Sequence, residues 1–157
     1  MEEYVYALDL SLANIGIAIF DKDGNVVKIL SKMTNPKDPT GIRLQTLLNF
    51  LCDLDKKYKA SKIIMENGFT RFNTVTQQLY RVHGIVNCLF AKEEQGYYAP
   101  ATVKKTVTGN GKATKSEVQN KLYELYPGIS FRNFDESDAV AIGLTYFIKT
   151  GILKTNN

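Results

Sequence analysis

The chain contains no tryptophan, one histidine, two cysteines and four prolines in 157 residues. Each shortage excludes something. His83, Cys52 and Cys88 do not supply the ligand spacing of a structural zinc site, and two distant thiols do not make a disulfide framework. Cys52 stands among Leu47, Leu48, Leu51 and Leu54, and Cys88 beside Val86 and Leu89, so both are expected as buried, reduced thiols. No apolar run approaches the roughly 20 residues needed to cross a bilayer. With no cleavable leader ahead of the first strand, the expectation is a soluble, cytoplasmic protein without membrane contact. Strong charge of one sign is missing too: the net charge is +4 and the pI about 9.0, which permits a polyanionic partner without demanding one. What is abundant is apolar side chain, 44% of residues, enough for the core of one compact domain over 1–157. There is no internal repeat, low-complexity tract or interdomain linker.

Hydrophobic periodicity sets the expected order of elements. Residues 4–9 and 15–20 read as strands, and Asp21-Lys22-Asp23-Gly24-Asn25 is a turn that returns the chain as a third strand to about Lys32. After the break at Asn35-Pro36-Lys37-Asp38-Pro39, Leu44, Leu47, Leu48, Leu51, Leu54 and Tyr58 recur at helical spacing. This helix feeds a short strand, Ile63-Ile64-Met65, which a helical crossover sets parallel to the first. Val75, Leu79, Val82, Val86 and Leu89 predict a second helix reaching about Gln95. A short strand at Tyr97-Tyr98-Ala99, a helical turn over 103–108, a helix over 115–126 and a last helix over 137–148 complete the expectation. The fold class is therefore α/β, with a mixed central sheet of three antiparallel strands followed by parallel ones, flanked by helices.

Four carboxylates adjoin or interrupt these apolar runs: Asp9 in Val5-Tyr6-Ala7-Leu8-Asp9-Leu10, Glu66 at the end of Ile63-Ile64-Met65-Glu66, and Asp135 and Asp138 in Asp135-Glu136-Ser137-Asp138-Ala139-Val140-Ala141-Ile142. A buried, unpaired carboxylate costs several kcal/mol, so something positive must meet them. A divalent metal with hard oxygen ligands meets that need economically. Simpler readings exist for each acid alone. Asp9 suits an edge-of-sheet residue paired with a lysine, Glu66 a strand-terminal acid before a turn, and Asp135 or Ser137 a helix cap. Capping does not account for Asp138, which sits among small and apolar residues on the same helix face as Asp135. Two metals about 4 Å apart on such carboxylates imply phosphodiester hydrolysis.

Between Gln95 and Ser116 lie Lys104, Lys105, Lys112 and Lys115 and no acid. A lysine run is ordinarily a solvated face. Here Gly109-Asn110-Gly111 frees the backbone to approach a phosphate, and Thr106, Thr108, Thr114 and Ser116 add hydroxyl donors, which suits nucleic acid. Phe69, with Arg71 and Phe72 near it, follows Glu66 in a loop and is either core or placed to stack on a base.

With these residues in order, the chain resembles the RuvC Holliday-junction resolvases of the RNase H-like superfamily, from Tyr4 to about Ile148. The resemblance is carried by Met65-Glu66-Asn67-Gly68-Phe69, by the segment from Thr102 through Lys104, Lys105, Gly109, Lys112 and Lys115 to Gln119, and by Asp135-Glu136-Ser137-Asp138-Ala139-Val140-Ala141-Ile142. It implies an RNase H-like fold and Mg2+-dependent cleavage (Mn2+ being the alternative ion) with two ions per site on Asp9, Glu66, Asp135 and Asp138. It also implies Lys104 and Lys115 as residues that assist cleavage and Phe69 as a junction-contacting aromatic; by charge and position, Arg71, Lys105 and Lys112 are expected as further DNA contacts. The partners it implies are a four-way DNA junction and a second copy of the chain, the homodimer making paired symmetric nicks, with the helix near 74–95 in the dimer contact. Two departures stand out. The family commonly has Pro-Gly after its first acid, where this chain has Leu10-Ser11, and the second helix carries Tyr80 and His83 in place of the usual small residues and arginine. Such departures fit a divergent member of the kind a phage encodes. The competing readings are a less selective RNase H-like nuclease of forks, flaps or RNA–DNA hybrids, and a protein that binds junctions without cutting. An actin-like phosphotransferase also opens with a strand meander carrying an acid, but it needs two such domains.

Overall fold

The structure, a computed structural model, describes residues 2–67 and 74–155. Strands β1 (Tyr4–Asp9), β2 (Asn14–Phe20) and β3 (Val26–Met33) form an antiparallel meander. Gly24 turns the chain between β2 and β3 at φ +87°, and the Asp21 carboxylate accepts hydrogen bonds from the Asp23 and Asn25 backbone N–H groups. Helix α1 (Thr40–Lys57) crosses to β4 (Ala60–Glu66), and α2 (Thr74–Leu89) to β5 (Glu94–Tyr98); both strands run parallel to β1. Three helices follow: α3 (Pro100–Thr108), α4 (Lys115–Leu125) and α5 (Phe134–Lys149). The sheet order is β3-β2-β1-β4-β5, the expected mixed sheet of three antiparallel and then parallel strands. None of the described helices is long and apolar enough to cross a membrane.

Alternation along the strands divides the core in two. Tyr6, Leu8, Ile15, Ile17, Ile19, Ile63 and Met65 point to one face and pack against Leu47, Leu51 and Leu54 of α1 and Val82 and Val86 of α2. Val5, Ala7, Ala18, Phe20 and Ile64 point to the other and pack against α3, α4 and α5. α5 lies directly on the strands because small residues face it. A Cβ at Gly16 would stand 2.0 Å from the Asp135 carbonyl oxygen, and one at Gly143 would stand 2.1 Å from the Phe20 ring.

Several boundaries differ from the sequence expectation. α2 ends at Leu89 rather than near Gln95, because Glu94 and Gln95 pair with Lys62 and Ile63 of β4. That pairing also starts β5 three residues early, on a Glu-Gln-Gly stretch without strand alternation. α5 starts at Phe134, not Ser137, and its cap is Asn133, whose side chain accepts from the Glu136 N–H; neither Asp135 nor Ser137 performs that task. β1 is central, so Asp9 is not at a sheet edge. Cys52 is half-buried and Cys88 exposed, because Thr76, Val82, His83 and Val86 form the inward stripe of α2 and Cys88 lies off it.

Candidate active site

Strand parity places the first two acids. Asp9 follows Val5 and Ala7 in alternation, and Glu66 follows Ile64, so both fall on the α5 face of the sheet. β1 and β4 run parallel in a register that reaches Leu8 opposite Met65, which brings their C-terminal ends side by side. The first turns of α5 bring the other two. Carboxylate oxygens of Asp9, Asp135 and Asp138 lie within 4.8 Å of one another. Glu66 lines the same cleft, of about 360 Å³, but does not join that close cluster. Lys104 and Lys115 line it as well, and Lys115 Nζ donates to Asp138 Oδ2 at 2.9 Å.

Local sequence explains the placement of the lysines. Pro100 opens α3 and Gly109 closes it at φ +84°, and a capping box between Thr114 and Glu117 starts α4 at Lys115. The two helices pack with α5 through Val103, Val107, Val118 and Leu122, which turns Lys104 and Lys115 toward the acids. Lys105 and Lys112 are exposed and do not line the cleft. Three of the hydroxyls read as phosphate donors serve their own backbone instead. Thr106 and Thr108 donate to the carbonyls of Thr102 and Lys104, and Thr114 caps α4. Phe69 and Arg71 lie outside the described residues.

The electrostatics of the cleft are those of excess negative charge. Burial, followed by the charges of Asp138, Asp135 and Glu66 and a hydrogen bond with Asp135, pushes the Asp9 carboxyl up to about 9. Burial and Asp138 raise Glu66, partly offset by Lys115 and Lys104. Asp138 is raised by burial even though Lys115 bonds it, and Lys115 is raised in turn by that bond. The directions agree once exposure is considered. Lys115, 61% exposed, retains water, whereas Asp138, 23% exposed, does not recover from one partner what burial takes away. A donor set of carboxylate oxygens without thiolate or imidazole fits a hard divalent cation, which would supply the missing positive charge. A second cleft, about 290 Å³ and lined by Tyr126, Leu144, Ile148 and Leu153, lies toward the Gly24 end of the sheet and has no acidic residue.

Two polar residues of the site were not expected as such. Asn14, at the start of β2, donates from Nδ2 to Asp135 Oδ2 at 2.7 Å. Its only signal in the sequence is a polar residue opening an apolar strand. His83, noted only as a departure, is buried against the cleft, and burial lowers its pKa and keeps it neutral at pH 7.

Residues 5–146 match the family described as Crossover junction endodeoxyribonuclease RuvC. A protein of that name from Rickettsia bellii (strain OSU 85-389) is 31% identical over 151 residues, covering 92% of this chain and 96% of the relative. Its counterpart from Rickettsia felis is 33% identical over 148 residues, covering 90% and 95%. Among solved structures, Thermus thermophilus RuvC in complex with Holliday junction substrate superimposes with a TM-score of 0.80 at 21% identity, over 96% of this chain and 98% of that one. Fowlpox virus resolvase with Holliday junction DNA gives 0.57 at 12% identity, over 92% and 99%. These structural likenesses, with their low identities, carry the RNase H-like fold, while the sequence matches span nearly the whole chain and its relatives. The chain belongs to the RuvC family of crossover junction endodeoxyribonucleases.

Proposed function

We propose that this chain is a single-domain, metal-dependent DNA endonuclease that resolves four-way junctions by paired, symmetric phosphodiester hydrolysis. The observation that carries the reading is the convergence of Asp9, Asp135 and Asp138 within 4.8 Å, in a cleft that Glu66, Lys104 and Lys115 also line. Relatives named for crossover junction cleavage, and similar structures titled as complexes with Holliday junctions, support the substrate class. The three aspartates and Glu66 would hold divalent cations, Mg2+ or alternatively Mn2+. Two such ions, when bound, polarise the scissile phosphate, activate a water and stabilise the leaving oxygen.

The chain's own residues supply the rest. In the half-buried cleft, burial and mutual repulsion favour the protonated acids, so a bound cation would displace protons and balance the charge that the carboxylates then carry. Lys115, which bonds Asp138 at the cleft, would offset the negative charge that grows on the phosphate in the transition state. Lys104 faces the same cleft from α3 and holds the phosphate chain in place. Lys105 and Lys112, exposed beside it, extend the basic surface along the DNA. Phe69 and Arg71 complete the substrate contact. A homodimer relates two such clefts by a two-fold axis, as paired cuts in a junction require.

Cleavage of a mobile four-way junction, a replication fork and a linear duplex by wild type and Asp138→Asn, in Mg2+ or Mn2+, tests the proposal. The expected result is paired nicks in the junction, slowed about 10³-fold or more in the variant. Equal cutting of forks establishes a less selective nuclease, and binding without cutting in either metal establishes a junction-binding protein instead.

A further inference from the structure

The turn after the first acid is where this chain leaves the usual pattern, and there Ser11 makes a clip. Its hydroxyl accepts from the Asn14 backbone N–H at 3.0 Å and donates to the Asn14 carbonyl at 2.7 Å. The clip holds Asn14 at the mouth of β2 from both sides of its backbone. Asn14 is only 8% exposed, and its Nδ2 reaches Asp135 Oδ2 at 2.7 Å. Its amide oxygen is buried and has no hydrogen-bond partner among the described residues. An unpaired buried acceptor is unfavourable, so a stronger contact must fix the amide in this sense. That contact is the carboxylate: turned over, the amide would set its oxygen against Asp135, and the donor would be lost to a charged acceptor. Two residues along the same strand face, Gly16 lets the Asp135 backbone settle on β2, since a Cβ there would stand 2.0 Å from the Asp135 carbonyl oxygen. Strand β2 thus grips Asp135 twice, by backbone at Gly16 and by side chain at Asn14.

We propose that Asn14 is a positioning residue of the metal centre: set by the Ser11 clip, its amide fixes the Asp135 carboxylate against Asp9 and Asp138 in the orientation that receives a divalent cation. The inference rests on reading the three acids as a metal site. Outer partners of this kind typically contribute 10–100-fold in metal affinity, because a carboxylate free to rotate must be ordered when the ion binds.

The test is Mn2+ binding to the DNA-free protein by calorimetry for wild type, Asn14→Ala, the similarly sized Asn14→Leu, and Ser11→Gly. Affinity is expected to fall about 10-fold in both Asn14 variants. Ser11→Gly, which keeps the amide but loosens its backbone, should fall in the same direction by less. Junction affinity in EDTA is expected to stay within about twofold, since no DNA contact is removed. In cleavage, the metal concentration for half-maximal rate should rise while the rate at saturating metal recovers, a split that general loosening of the fold would not produce. Wild-type Mn2+ affinity in both Asn14 variants overturns the role, as does a wild type that binds no Mn2+. Should the Asn14 variants fail to fold by circular dichroism, Ser11→Gly decides, and unchanged affinity there overturns it. A wild type that cuts junctions while the variants bind Mn2+ unchanged sinks the positioning role alone. A wild type that cuts nothing, with Mn2+ affinity still lost in the variants, sinks the resolvase reading alone.

Discussion

The two faces of the sheet are built from opposite materials. Against α1 and α2 the strands present Tyr6, Leu8, Ile15, Ile17, Ile19, Ile63 and Met65, all fully buried and all large. Against α5 they present Ala7, Gly16, Ala18 and Phe20, met by Ala139, Ala141 and Gly143. Large side chains hold a helix away from a sheet; small ones let it close in. An aspartate side chain is short, so Asp135 and Asp138 reach Asp9 only because α5 is allowed near. The face that approaches closely is the one that buries acids, and the cost appears in Asp9, pushed up to about 9. One face thus supplies stability and the other gives some up to hold a charged site ready.

The sharpest way to separate them is to damage the stabilising face alone. Leu51 is fully buried between α1 and the sheet, so Leu51→Ala is expected to cost about 3 kcal/mol and lower the thermal midpoint by roughly 6–12 °C. Mn2+ affinity and cleavage rate below the transition should hold. Parallel loss of metal affinity in calorimetry would mean that the faces are coupled through the strands.

On the chemical face the expected change is kinetic. Lys115→Ala removes the cation that bonds Asp138 and should lower turnover about 100-fold, some 2.7 kcal/mol of barrier, with a smaller change in junction affinity. Single-turnover cleavage beside equilibrium binding reads both, and equal losses would make Lys115 a simple phosphate contact.

The smallest effect concerns the charge stored among the acids. Asp9 titrates near 9 in the folded protein against an ordinary 3.8, so the folded state holds the proton more tightly. Its contribution to stability is complete below about pH 4 and is lost as pH rises through about 9; Glu66 and Asp138, also raised, act in the same sense. Metal-free wild type should therefore melt a few degrees lower at pH 8 than at pH 5. Asp9→Asn should flatten that slope and melt higher than wild type at pH 8. A flat wild-type profile in EDTA would mean that the acid face carries no such burden.

Much of this was legible because it is periodic. The meander, the α1 stripe, the parallel entry of β4 and the parity that puts Asp9 and Glu66 on one face follow from spacings of two and of three to four. The early start of β5 was not, because Glu94-Gln95-Gly96 carries no strand pattern and is recruited by hydrogen bonding to β4. By charge and spacing the four lysines read alike and only the family resemblance set Lys104 and Lys115 apart; helix geometry turns those two into the cleft and leaves Lys105 and Lys112 outside it. Asn14 was invisible as a partner because its acceptor stands 121 residues away.

Sequence alone therefore determined the identity of the acids, the strands and helices that bear them, and the side of the sheet on which the strand acids stand, since these depend on local periodicity. Only the tertiary structure decided how near the acids come, that Glu66 stands apart from the close cluster of three, and that Asn14 holds one of them. Those outcomes depend on how closely α5 settles on β1 and β2, and that distance is set by Gly16 and Gly143, contacts between residues far apart in the chain.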